Sequence, residues 1–404
     1  MDIVIIGGGA SGLMTAITLK NKTNKVTIVE RNDSCGKKIL MTGNGRCNYW
    51  NSNMSLDNYH TSNKELLKKI ITPENCLEVL FKFKELGIIP RIKDGYYYPS
   101  SNQALSIKKS LLNEAKNKGI IIKTNFLVTK VKKVNDKFKI ISKEETITSD
   151  YLVVATGGKA APKTGSTGTG YDIAQEFNHT IIKPLPALVQ LKANYKFLKD
   201  WDGVRANVSI YLREDGNIIS KEEGEIQLTD YGVSGICVFN LSSIINKGLD
   251  KDKKEELLIN FIPFIKGNPL NWLKDRANLL PNLTVLEELE LIINNKLAKV
   301  ILTRSNINYQ TYFKDLSLEQ ISTLLKNLTN FEIIITGTND FTKAQVTSGG
   351  VPLTEVNPNT LESLKCPNLY FTGELLDVDG NCGGYNLGFS WISGIIVGNA
   401  LKEK

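Results

Sequence analysis

Residues 2–30 read DIVIIGGGASGLMTAITLKNKTNKVTIVE, and this stretch decides the fold. Asp2 to Ile6 is an apolar run of strand length. Gly7, Gly9 and Gly12 follow in G-x-G-x-x-G spacing, Leu13 to Lys20 carry a helical apolar pattern, and the apolar run Val26 to Val29 ends at Glu30. Strand, glycine turn, helix and strand in this order make the start of a doubly wound α/β domain. Each glycine answers a separate demand: Gly7 the tight turn, Gly9 the close approach of backbone to a pyrophosphate, Gly12 the packing of helix on strand. The amides that open the helix, from Ala10 and Ser11 onward, then face a doubly charged phosphate bridge. Glu30 stands about 20 residues past the glycines, where a carboxylate accepts hydrogen bonds from both hydroxyls of a ribose.

Composition bounds the rest. The chain has 404 residues, enough for two or three domains with their own cores, and 41% hydrophobic with 23% charged residues is an ordinary globular balance. It contains no apolar run of about 18 residues or more, so no membrane span is expected. The first strand begins at residue 2, which leaves no room for a targeting peptide, and a cytoplasmic protein is expected. Six cysteines (35, 47, 76, 237, 366 and 382) form no C-x-x-C pair; they read as reduced thiols, and no metal site is expected. The formal charge of +8 is spread over runs such as Lys130-Val-Lys-Lys and Lys251-Asp-Lys-Lys, which read as solvated faces and make a weak footprint for nucleic acid.

Further along, Gly36, Gly43 and Gly45 mark residues 31–51 as a loop. Helices are expected over 64–71, 75–86 and 103–117, and short strands over 120–122, 126–131, 138–141, 146–147 and 151–155. A second glycine-rich loop at 162–170 leads to a helix over 171–177. Residues 205–213 and 216–219 read as a hairpin, 225–228 as a further strand and 233–245 as a buried helix. From 268 to 328 the pattern is helical, 331–336 is a β-branched strand, 368–371 returns to the first domain and 389–401 closes it. The expected domains are a split nucleotide-binding domain (1–187 with 340–404), an inserted domain (188–250 with 328–339) and a small helical subdomain (251–327).

Four glycine-rich segments carry the chemistry: 7–12, 43–48, 157–170 and 373–388. In the last, Asp377 and Asp379 stand where carboxylates bind ribitol or ribose hydroxyls. Gly383 and Gly384 let backbone approach a flat ring, and the following helix aims its positive end there. That arrangement stabilises a reduced flavin, which is anionic at its N1/O2 edge.

The pieces IIGGGASGLMTAI, GKKILMTGNGRCNYWN, ATGGKAAPKTGSTGTGYDIA, LTDYGVSGICVFNLS, AQVTSGGV and LYFTGELLDVDGNCGGYNLGFSWISG together resemble the BaiN-type, aminoacetone-oxidase-like family of bacterial FAD-dependent oxidoreductases. The resemblance spans nearly the whole chain. It implies a Rossmann-like FAD/NAD(P)-binding domain of the glutathione-reductase type, interrupted by a β-barrel-like domain and a small helical one. It also implies which residues meet FAD: Gly7, Gly9, Ala10, Ser11, Gly12, Glu30 and Arg31 at the ADP half; Lys38 with Thr42, Gly43, Gly45, Arg46, Cys47 and Asn48 against flavin and pyrophosphate, Arg46 as a phosphate partner; Thr156, Gly157 and Gly158 over the adenosine; and Gly373, Glu374, Asp379, Gly384, Asn386 and Leu387 beside the ribityl chain and ring. Family members usually carry Arg where this chain has Lys37 or Lys38, so a phosphate contact there is a point charge rather than a fork.

What the site acts on stays open in the sequence. No second G-x-G-x-x-G occurs, so NAD(P)H visits the flavin transiently or electrons come from elsewhere. Tyr231 and Tyr385 are the candidate proton donors. His60 and His179 read as surface or capping residues, and Cys47 and Cys382 as small residues filling tight loops. The expected activity is NAD(P)H-driven reduction of an activated C=C bond in a small or medium organic substrate. Alternatives are a flavin amine oxidase with oxygen as acceptor, a flavin-loaded RNA-modifying or RNA-binding protein, and a redox-sensing flavoprotein. The oligomeric state is not legible.

Overall fold

The computed structural model describes residues Met1–Lys404. They fall into two compact units, Met1–Pro186 with Ala344–Lys404, and Ala187–Lys343.

In the first unit, β1 (Asp2–Ile6), α1 (Ala10–Leu19) and β2 (Lys25–Val29) begin a five-stranded parallel sheet. Its order is Leu369–Phe371, Tyr151–Val154, β1, β2, Ile121–Lys123. Val4 pairs with Leu152 on one side and Thr27 on the other. Parallel strands buried on both faces read as continuous apolar runs, which is why IVII and YLVV carry no alternation. The helix Tyr385–Lys402 closes the unit and starts four residues earlier than the expected 389.

Two expectations for this unit need correction. The loop expected over 31–51 contains a short helix, α2 (Lys37–Met41), which starts after the left-handed Gly36 (φ 74°). The glycines flank this helix rather than interrupt it. The strand expected over 126–131 runs instead from Lys130 to Val134. The amides of Asn125 and Phe126 are committed to the carbonyls of Asn32 and Glu30, both at 2.8 Å, so this stretch ties down the end of β2.

The second unit is built on a seven-stranded antiparallel sheet. Its order is Phe331–Ile334, Glu255–Asn260, Arg205–Glu214, Asn217–Thr229, Gly232–Ser234, Leu191–Lys192, Gly337–Thr338. The two edge strands are neighbours in the chain. Ile335 N–H donates to Glu255 O and Thr336 N–H to Lys192 O, each at 2.9 Å, so the sheet curls into a barrel-like roll. The strands expected over 216–219 and 225–228 are one long strand, and the helix expected over 233–245 is a strand, the turn at Gly235 and then a helix from Ile236 to Leu249. The segment 251–327, expected to be helical, opens with the strand Glu255–Asn260. Its later helices share one core with the sheet, where Leu273, Leu289, Ile301 and Leu324 join Ile210, Leu228 and Phe331.

Glu255 lies in this core, directly opposite Glu214 on the neighbouring strand and against Gly248 of the adjoining helix. Burial, helped by the Glu214 carboxylate, pushes its carboxyl up to about 8, while Lys253 pairs with Glu214 at 2.5 Å. The buried acid is therefore held protonated. A carboxyl raised in the fold adds stability that is complete below its ordinary value near 4.5 and is lost as pH climbs through the raised one. The melting temperature is expected to fall between about pH 5 and pH 9, and Glu255→Gln to flatten that fall. Parallel melting curves for the two proteins would refute the assignment.

Candidate active site

The three glycines of the first turn meet three different surroundings. Gly7 has φ 105°, and a Cβ there would stand 2.8 Å from the Ala155 carbonyl carbon. A Cβ on Gly12 would run into the Gly7 carbonyl. At Gly9 a Cβ meets nothing within 4 Å. Gly9 is the N-cap of α1, with no side-chain cap and no acidic residue in the first turn. Open space before uncapped first-turn amides is what an anionic group requires, so these residues fit the diphosphate of a dinucleotide.

Glu30 is buried at the end of β2. One oxygen accepts the Gly8 N–H at 2.9 Å, and the other accepts the Asn32 backbone and side-chain N–H groups at 2.8 Å. Asn32 also donates to Thr164 O at 2.9 Å, and Arg31 bonds Thr167 Oγ1. Glu30 and Asn32 thus fasten the second glycine loop to β2. Asn32, two residues past the acid, is missing from the sequence-level set.

Lys38, on α2, pairs with Glu374 at 2.6 Å, with side chains 27% and 15% exposed. The other Glu374 oxygen accepts the Thr347 N–H at 2.9 Å. Thr347 is fully buried, and its hydroxyl oxygen accepts the amides of Lys159 and Ala160 at 2.8 and 3.0 Å. Gly158 is needed beneath this contact, since its Cβ would stand 2.6 Å from Thr347 Cβ. Thr156 and Gly157 precede it, with Gly157 left-handed (φ 69°). Gly373, also left-handed, lies against Ser11 of α1, and its N–H donates to Ser393 Oγ at 2.9 Å. Thr347 stands in the AQVTSGGV segment, and its role depends on partners nearly 190 residues away.

The 42–48 loop is held in special backbone conformations. Gly43, Asn44, Gly45 and Cys47 are all left-handed, and Thr42 Oγ1 donates to Ile39 O at 2.7 Å. Arg46, expected at a phosphate, is exposed: it donates to Gly43 O at 3.2 Å and lies 5.7 Å over the Tyr98 ring. Cys47 turns its thiol fully inward, and burial pushes it up to about 12, so it presents no thiolate to a flavin. The Asn48 side-chain amide satisfies Trp50 O and Tyr97 O, at 2.9 and 3.1 Å, when its nitrogen is the atom turned toward them.

The last glycine segment is likewise more self-contained than its sequence implied. Gly384 (φ 94°) leaves room for the Trp50 carbonyl, 2.7 Å from where a Cβ would stand. Asn386 brackets its own loop, accepting from Gly380 N and donating to Gly380 O at 2.8 and 2.7 Å. Asp377 accepts the Ser62 N–H at 2.8 Å, and Asp379 is buried opposite His60 in a two-stranded ladder. Leu387 packs half-buried on the core. Tyr385 is 7% exposed, edge-on to Tyr59, and burial raises its phenol above the ordinary range. Tyr231, in the second unit, is 37% exposed at the turn after Asn217–Thr229.

His179 corrects its surface reading. It is buried, with Nδ1 2.8 Å from Glu355 and Nε2 2.7 Å from Ser363 Oγ. The Ser363 oxygen also accepts the Lys365 and Cys366 amides. Its proton therefore goes to Nε2, and the serine pins a turn rather than serving as a nucleophile. Burial holds the imidazole below its ordinary range and neutral.

The HI0933-like protein Rossmann domain family matches residues 1–400. The chain belongs to that family. It is 36% identical over its full length, and 99% of the relative's, to the 3-dehydro-bile acid delta(4,6)-reductase of Clostridium scindens. It is 27% identical to the ribosomal RNA dihydrouridine synthase of Escherichia coli, over 97% of this chain and 96% of that one. Among solved structures, the open form of a flavocytochrome c3 fumarate reductase shares the fold with a TM-score of 0.51 at 14% identity, over 100% of this chain and 78% of that one. The chain is an FAD-dependent oxidoreductase with a Rossmann-type FAD-binding domain, and no helix in it is long and apolar enough to cross a membrane.

Gly9→Val separates ligand space from folding space. The valine side chain enters the volume open to the diphosphate, so the variant is expected to melt like wild-type apoprotein yet retain no FAD through gel filtration. A yellow Gly9→Val protein would show that the diphosphate lies elsewhere.

Proposed function

We propose that the enzyme saturates an activated C=C bond with electrons from NAD(P)H. The observation that carries this reading is the full-length likeness to a named delta(4,6)-reductase. The name of the second relative supports it, since a dihydrouridine is a uridine with one ring double bond saturated. The reaction balances as NAD(P)H plus a proton plus C=C giving NAD(P)⁺ and CH–CH. When bound, FAD would supply the two-electron redox chemistry that this balance needs.

The chain's own residues supply binding, orientation and the proton. The amides at the start of α1 would hold the diphosphate, and Glu30 and Asn32 would hold the adenosine ribose. The remaining proton is assigned to Tyr231, whose exposure leaves its phenol accessible to a substrate. Tyr385 is buried and is assigned to packing. Localisation in the cytoplasm, where NAD(P)H is supplied, belongs to the same reading.

The dihydrouridine synthase relatives favour one second reading, in which the reduced double bond belongs to a uracil base in RNA. The +8 charge agrees with that substrate.

Anaerobic titration with NADH and then NADPH, followed at the flavin absorbance, is expected to bleach the protein, and the reduced enzyme is expected to be reoxidised by a cyclic enone. If neither nucleotide bleaches the flavin, and an amine does so with peroxide formed in air, the reductase reading fails. Reoxidation by ribosomal RNA but by no small enone, with a rate that falls steeply with salt, would establish the second reading. Tyr231→Phe is expected to slow enone turnover by about a hundredfold while leaving reduction by NAD(P)H unchanged. Unchanged turnover would remove Tyr231 from the mechanism.

A further inference from the structure

We propose that Lys38 is a charge compensator for the cofactor site: its ammonium neutralises Glu374, so that the diphosphate of FAD is tolerated beside a carboxylate. The inference rests on FAD as the cofactor and is independent of the substrate.

Glu374 follows Gly373, and Gly373 lies on the first turn of α1, where a Cβ would stand 3.0 Å from Ser11 Cβ. The backbone that carries Glu374 therefore runs past the first turn of α1, whose uncapped amides await an anion, and its carboxylate oxygen lies 2.8 Å from where a Cβ of Gly158 would stand. The two demands conflict. A half-buried carboxylate repels a doubly charged ligand, and the repulsion is stronger in a partly desolvated site than in water. Glu374 has a structural duty that explains its presence. Its Oε1 accepts the Thr347 N–H, and Thr347 in turn holds the amides of Lys159 and Ala160 behind the second glycine loop. The other oxygen, Oε2, takes the Lys38 ammonium at 2.6 Å. The pair leaves the hydrogen-bond relay intact and cancels its charge. Lys38 is therefore a positioning residue that acts through Glu374, which differs from the direct phosphate contact expected for it.

A double-mutant cycle on FAD affinity tests this, with the cofactor removed and titrated back by fluorescence quenching. Lys38→Gln removes the charge and leaves an amide donor on a side chain one bond shorter. It is expected to weaken FAD binding about tenfold at low salt, with a deficit that shrinks as salt screens the exposed carboxylate. Glu374→Gln is expected to bind within about threefold of wild type, and the double variant Lys38→Gln/Glu374→Gln to recover to about the same level. Lys38→Arg, which keeps the charge, is expected to bind as wild type does. Melting of each apoprotein separates lost affinity from lost fold. Equal affinity in Lys38→Gln and wild type would overturn the proposal. So would a double variant as weak as Lys38→Gln alone, because a merely structural lysine is not rescued by removing its partner's charge. Should Lys38→Gln not fold, the double variant against Glu374→Gln carries the same comparison.

Discussion

The whole first unit depends on how closely backbone can approach α1. On one side Gly12 lets the helix descend onto the Gly7 turn. On the other, Gly394 and Gly398 of the closing helix admit the Ser11 carbonyl and the Thr18 side chain, where a Cβ would stand 2.8 and 2.5 Å away. The helix is buried from Ser11 to Leu19. Helices packed through glycine lie nearer than side chains ordinarily allow. A helix gripped on two sides cannot slide along its axis. Its amino terminus is therefore a fixed point, and a fixed donor array binds an anion without reorganisation. The last glycine segment is hung from that point, with Gly373 on Ser11 and Glu374 bonded to Thr347.

The second unit follows a different logic. Its strands curl until successive residues 335 and 336, which join the two edge strands, bond the strand beside each edge, and this limits the open ladder that would otherwise invite another chain. Helices from the middle of the insertion fill the roll with Leu273, Leu289 and Leu324. Each unit thus has its own core, and the insertion interrupts the sequence of the first without entering its sheet.

What was legible followed from chemistry local in sequence. The first βαβ arc carries glycine spacing, apolar runs and a terminal acid within 29 residues, so fold, cofactor and family could all be read from it and its companions. The helix at Lys37–Met41 was hidden because its flanking glycines are loop signals while its own five residues are too few to show a period. The strand Asn217–Thr229 was hidden by Lys221-Glu222-Glu223-Gly224-Glu225, a charged run stabilised by cross-strand partners such as Arg205 with Glu225 at 2.8 Å. The roles of Thr347, Asn32 and His179 lie in bonds to distant residues, which no local pattern encodes. At Cys47, Gly384 and Asn386 the visible demands come from the protein itself: an inward thiol, the Trp50 carbonyl and the Gly380 backbone.

The split architecture has a consequence for biosynthesis. Strand Tyr151–Val154 emerges from the ribosome with one edge unpaired, because its neighbour Leu369–Phe371 lies beyond the insertion. The closing helix that grips α1 comes later still. At about 5–20 residues per second, the insertion keeps that edge waiting for on the order of ten seconds. Meanwhile the insertion has a complete core of its own to form. Capture of the cofactor by the fully gripped helix is thus among the last events in the maturation of the chain.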